Sequence, residues 1–185
     1  MASLPFTKSA IPRGKDEVYV VAVPLRATKG PAQVLMSAAY SLNIWDLQHF
    51  MVLIKPSSPP PSCQVLFHLI PILGFPFFVH KALVFDFQPK DPENLYVALD
   101  VISGRAVPGV LLMRELRKVP RSKCWYVGSP EVDAVDIACE FNKSWETDLR
   151  VGHHDCRDYT NGLVEYLTGQ KDVLEHLRRS TSGLG

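Results

Sequence analysis

The sequence has no cysteine pair at CxxC spacing, no uninterrupted apolar run of bilayer length and no excess of either charge. Each absence excludes a class. Cys63, Cys124, Cys139 and Cys156 stand singly, which argues against a zinc ribbon or a disulfide framework and for reduced thiols in an intracellular compartment. With 20 Lys and Arg against 19 Asp and Glu, the chain lacks the concentrated basic footprint of a dedicated nucleic-acid binder. The N-terminus lacks the apolar stretch of a secretory signal. Its short basic, Ser-containing start is interrupted early by Asp16 and Glu17, so a cytoplasmic protein is expected. What remains is the composition of an ordinary globular domain, 46% hydrophobic and 21% charged over 185 residues. That is long enough for one core without disulfide staples.

Residues 17–23 (EVYVVAV), rich in β-branched side chains and closed by Pro24, predict a strand. Residues 32–42 favour a short helix with an apolar face at Val34, Leu35, Ala38 and Ala39. Residues 47–54 (LQHFMVLI) are apolar on both alternating faces, with His49, Met51 and Leu53 on one and Phe50, Val52 and Ile54 on the other. This is the pattern of a central strand covered on both sides. A further strand is expected at 82–88 (ALVFDFQ), then a turn from Pro89 to Asn94, a short helix or strand at 93–102, and a loop punctuated by Gly104, Pro108 and Gly109. Residues 110–116 are ambiguous and 123–127 read as a strand.

A helix with Ser129 as cap and Pro130 in its first turn should present Val135, Ala138, Phe141 and Trp145 on one face. Another should open at Cys156, bury Tyr159, Leu163 and Leu167, and close at Gly169, with Asp155 and Asp158 at capping-box spacing. A last helix spans 171–179, before a frayed tail at 180–185. The expected fold class is α+β, a small, mainly antiparallel sheet packed by C-terminal helices in a single domain over residues 1–179.

Residues 57–62 (SSPPPS) must be loop, since consecutive prolines remove donors. Residues 65–79 (VLFHLIPILGFPFFV) are shorter than the roughly 20 residues of a bilayer span and are broken by Pro71, Gly74 and Pro76. No transmembrane segment is expected there. The stretch reads as a buried apolar piece, as a partner-binding patch, or as foreign to the fold: a retained intron translated in frame over about 65–81 would look like this. Sequencing transcripts from several tissues tests that idea.

Cys156 is expected in the first turn of a helix, where unpaired N–H groups and the positive end of the dipole favour a thiolate. The plainer reading is a small buried hydrophobe. His49 lies in a strand buried on both faces, an expensive place for an imidazole unless both nitrogens are satisfied. Its order relative to the others matters. His49 on one strand, Asp86 or Gln88 on a later strand, and Cys156 opening a helix form a set of base, orienter and nucleophile.

This arrangement resembles the circularly permuted papain-like thiol fold, which includes lecithin:retinol acyltransferase-like proteins and related thiol peptidases. In those proteins the histidine begins an apolar strand, as in Gln48-His49-Phe50-Met51-Val52-Leu53-Ile54, and the cysteine sits in a motif like Asn-Cys-Glu-His-Phe, against Asp155-Cys156-Arg157-Asp158-Tyr159 here. The resemblance covers about residues 47–167. It implies a thiol hydrolase or acyltransferase in which Cys156 attacks an acyl carbon, His49 is base and then acid, and Asp86 or Gln88 orients His49. No cofactor is implied. The chain departs from the pattern at Asp155, Arg157 and Asp158, and a negative charge at Asp155 would oppose thiolate formation unless Arg157 offsets it. The competing class is a non-catalytic interaction protein on the same fold.

His153, His154 and Cys156 carry zinc-type donors, but three within four residues converge poorly and no second cluster completes a site, so no metal is expected. Arg114, Arg117, Lys118, Arg121 and Lys123 have the charge for phosphates or peripheral contact with an acidic membrane; the plainer reading is a solvated face.

Overall fold

A computed structural model of the chain describes residues 14–25, 48–57, 82–131 and 133–182, with single positions at 33, 34, 37, 38, 41 and 42. The strands are β1 (Glu17–Pro24), β2 (Gln48–Lys55), β3 (Ala82–Pro89), β4 (Val107–Leu116), β5 (Cys124–Gly128) and β6 (Asp148–Leu149). The helices are α1 (Leu95–Ile102), α2 (Ala134–Ser144), α3 (Cys156–Thr168) and α4 (Val173–Ser182). All strand pairs are antiparallel in one open sheet, β5-β1-β2-β3-β4-β6. The fold is therefore α+β with a six-stranded antiparallel sheet. Among the described residues no helix is long and apolar enough to cross a membrane.

The two-residue side-chain period of β1, β2 and β3 divides the core. Val18, Val20, Phe50, Val52, Ile54, Phe85 and Phe87 face a helix layer built from α2, α3 and α4, meeting Ala134, Ala138, Tyr159, Leu163 and Leu174. Val21, Met51, Leu53, Ala82 and Val84 form a smaller cluster, against which Leu116, Val119 and Cys124 pack. β2 is thus buried on both sides, as its uninterrupted apolarity predicts. Asp16 ties the layers together: its carboxylate accepts from Ser57 N at 2.7 Å and from Ala134 N, the first residue of α2, at 2.9 Å.

Several expectations are corrected. β4 runs through Pro108 and Gly109, which were expected in a loop. Pro108 has no N–H to lose, and its neighbour on that side is the two-residue β6. Gly109 is needed there because a Cβ would stand 2.6 Å from the Phe87 ring and 2.8 Å from the Thr147 carbonyl oxygen. The cap of α2 is Asp133, which accepts from Val135 N and Asp136 N, and not Ser129. The stripe nevertheless falls on the core: Val135 and Ala138 are buried, and Phe141 and Trp145 pack against them. α4 continues past Arg179 to Ser182, and residues 93–102 resolve as helix α1 capped by Asn94. Positions 33, 34, 37, 38 and 41 are helical, yet Val34 is 70% exposed, so the apolar face expected for that helix is not turned to the core at Val34.

Residues 65–81 and Cys63 lie outside the described residues. On either side of them, β2 and β3 pair directly, Ile54 opposite Leu83, a geometry that a short hairpin turn can close.

Candidate functional site

His49 is the second residue of β2, on the face of Met51 and Leu53, and Asp86 is on the corresponding face of β3, two residues beyond Val84. The ladder between the strands joins Val52, Leu53 and Ile54 to Phe85, Val84 and Leu83. His49 and Asp86 lie just past its end. There Nε2 of His49 donates to Asp86 Oδ1 at 2.6 Å, with the side chains 10% and 1% exposed. Of the two orienters left open by the sequence, Asp86 is the one bonded to the ring. Gln88, one pleat further along β3, is buried beside it.

Helix α3 brings the sulfur. Asp155 is its N-cap, with the reciprocal capping box to Asp158 that the spacing predicts: Asp155 Oδ1 accepts from Arg157 N at 2.7 Å, and Asp158 Oδ2 accepts from Asp155 N at 2.9 Å. Asp155 Oδ2 accepts from Gly152 N at 2.7 Å. The negative charge next to Cys156 is therefore bound to backbone donors at the positive end of the helix, which softens its opposition to a thiolate. Cys156 is the first helical residue, half-buried, and its side chain hydrogen-bonds the His49 imidazole. With Nε2 given to Asp86, Nδ1 is the ring atom left for the sulfur.

Burial by itself pushes the His49 imidazole towards its neutral form. Hydrogen bonds to Asp86 and Cys156, helped by the charges of both, outweigh it and raise the pKa from 6.5 to about 10. The ring is an imidazolium at neutral pH. One turn into α3, Tyr159 is buried and donates to Asn142 Oδ1 at 2.7 Å. Burial raises its phenol pKa, and the Asp86 charge adds to the rise.

Sequence reasoning missed Arg114 as a member of this group by grouping it with the solvated basic run. Arg114 of β4 lies opposite Val84, diagonal to Asp86 on the same face, and its Nη2 donates to Asp86 Oδ2 at 2.6 Å. The alternation of β4 against β3 was the signal that could have found it. Arg117, Lys118 and Arg121 are exposed, as a solvated face requires.

A shallow cavity of about 430 Å³ opens beside the pair, walled by His49, Asp86, Arg114, Gln88, Glu93 and Met51 together with the end of β1. Cys156 is not among its walls and meets the imidazole from the helix layer. His154, grouped with Cys156 by sequence, instead stacks on Trp145 with centroids 4.5 Å apart, and its Nε2 lies 3.0 Å from the Glu146 carbonyl oxygen. Among the described residues no group of three or more His, Cys, Asp or Glu side chains is placed to hold a metal ion.

Comparison with known proteins returns no match: no family model, no curated protein and no solved structure resembles the chain closely enough to count.

Proposed function

We propose that this chain is a thiol hydrolase or acyltransferase of the circularly permuted papain-like kind. The observation that carries the reading is the hydrogen-bonded row from Cys156 at a helix start, through His49, to Asp86. The chain order, histidine strand, then carboxylate strand, then cysteine helix, supports the permuted arrangement.

In this reading His49 has already taken the proton of Cys156, leaving a thiolate at the N-terminus of α3. The sulfur attacks an acyl carbon, forming a C–S bond and a tetrahedral oxyanion. As that collapses, the bond to the leaving group breaks and His49 gives it the proton. Water or an acceptor alcohol or amine then attacks the thioester, its proton passes to His49, and Cys156 is released. Asp86 keeps the ring oriented throughout and favours its charged form before attack and after deacylation. The test is labelling by an acyl-phosphonate or chloromethylketone panel: label on Cys156 that is lost in Cys156→Ser and His49→Ala, while both variants stay folded, supports the enzyme. Absence of label from every member of the panel, in a folded wild type, goes against it and favours an interaction protein.

A further inference from the structure

Arg114 has a position that neither a solvated basic patch nor a simple surface ion pair explains. Its Nε is buried without a hydrogen-bond partner, while Nη2 gives a 2.6 Å bond to the fully buried Asp86 and lies 3.7 Å from Met51 Sδ. The side chain as a whole is 39% exposed, so only its Nε is taken from water, and the fully buried carboxylate of Asp86 is the partner that offsets that cost. Asp86 in turn has its two oxygens divided: Oδ1 faces His49 and Oδ2 faces Arg114.

We propose that Arg114 is a positioning residue for this site: by neutralising Asp86 from the far side, it leaves the imidazolium of His49 as the counter-ion of the Cys156 sulfur. The inference rests on the thiol reading above. Across α3, β2, β3 and β4, the charges then alternate as Cys156 negative, His49 positive, Asp86 negative and Arg114 positive, and sum to zero. Without Arg114, one imidazolium would serve two anions in a buried place, and the sulfur is the one able to give up its charge by taking a proton. Among the described residues, Tyr159 from α3 feels the Asp86 charge and Glu93 shares the cavity wall with it, and neither supplies a positive charge. Arg114 also fixes geometry, since a carboxylate held at both oxygens cannot rotate away from Nε2.

The experiment follows the rate of Cys156 alkylation by iodoacetamide against pH in the folded protein, with a ¹³C signal on the His49 ring reporting its charge. Arg114→Met should lower the rate near neutral pH by about tenfold, with the profile displaced to higher pH by about one unit. Arg114→Lys should recover most of the rate, because it restores the charge without the planar fork. The decisive variant is the double Asp86→Asn, Arg114→Met, which removes one charge of each sign and should react faster than Arg114→Met alone. A role confined to packing predicts no such recovery. If His49→Ala abolishes the fast reaction while Arg114→Met and the double variant both keep the wild-type profile, the proposal is overturned and the thiol reading stands. If His49→Ala itself changes nothing, both fall together. Should Arg114→Met not fold, Arg114→Lys and Arg114→Gln decide: a rate kept in Arg114→Lys and lowered in Arg114→Gln supports charge balance, and equal profiles in the two overturn it.

Discussion

Asp86 Oδ1 lies 2.6 Å from His49 Nε2 just beyond the last rung of the ladder between their strands, with neither side chain more than 10% exposed. A buried imidazole in such a pair is committed to its charged form, and this commitment is measurable without knowing any substrate.

His49 is pushed up to about 10 from an ordinary 6.5, so the folded state holds its proton more tightly than the unfolded chain does. Its contribution to stability is fully present below about pH 6.5 and is lost as pH rises through about 10. The urea midpoint of the wild type should therefore fall between pH 7 and pH 10 more steeply than that of His49→Gln. Parallel curves would show that the pair does not bind a proton on folding.

Asp16 accepts from the backbone at Ser57 and Ala134. Asp16→Ala leaves two N–H groups without their charged acceptor and should cost about 2–3 kcal/mol. Chemical denaturation measures this, and a loss under about 0.5 kcal/mol would show that water replaces the carboxylate.

Gly109→Ala puts a methyl 2.6 Å from the Phe87 ring and 2.8 Å from the Thr147 carbonyl oxygen. Phe87 in turn touches Tyr159 and Trp145, so the strain has no free side to relax into. A destabilisation of about 1–3 kcal/mol is expected. An unchanged melting temperature would mean that β4 shifts away from β3 at that point.

Because Ile54 and Leu83 are direct partners, a chain with residues 58–80 replaced by a short Asn-Gly turn should still close the β2–β3 hairpin and keep Cys156 reactive. Circular dichroism and alkylation check this. An unfolded product would show that the removed stretch carries part of the core.

Much of this arrangement is legible from local pattern. The alternation in β2 and β3, the capping box at Asp155 and Asp158, and Gly169 in the left-handed conformation after α3 are encoded within a few residues of where they act. β4 is not, because Pro108 and Gly109 are loop-forming by propensity and are accepted into the strand only by their neighbours Asp148 and Phe87. The start of α2 is similar: Ser129-Pro130 carries a good local signal, but Asp133 and the long-range bond from Ala134 N to Asp16 set the first turn. Residue types suggested His49, Asp86 and Cys156 as a set, and left Asp86 and Gln88 as equals. The choice between those two, and the membership of Arg114, depends on strand register, which a single sequence does not display.

The most direct test of the Cys156 and His49 pair is the pH dependence of iodoacetamide alkylation at Cys156 in the folded protein, with His49→Ala as the control. The pair predicts alkylation near pH 7 that is at least about tenfold faster than in the unfolded chain, and loss of that excess in His49→Ala. Slow alkylation that is the same with and without His49 would contradict it.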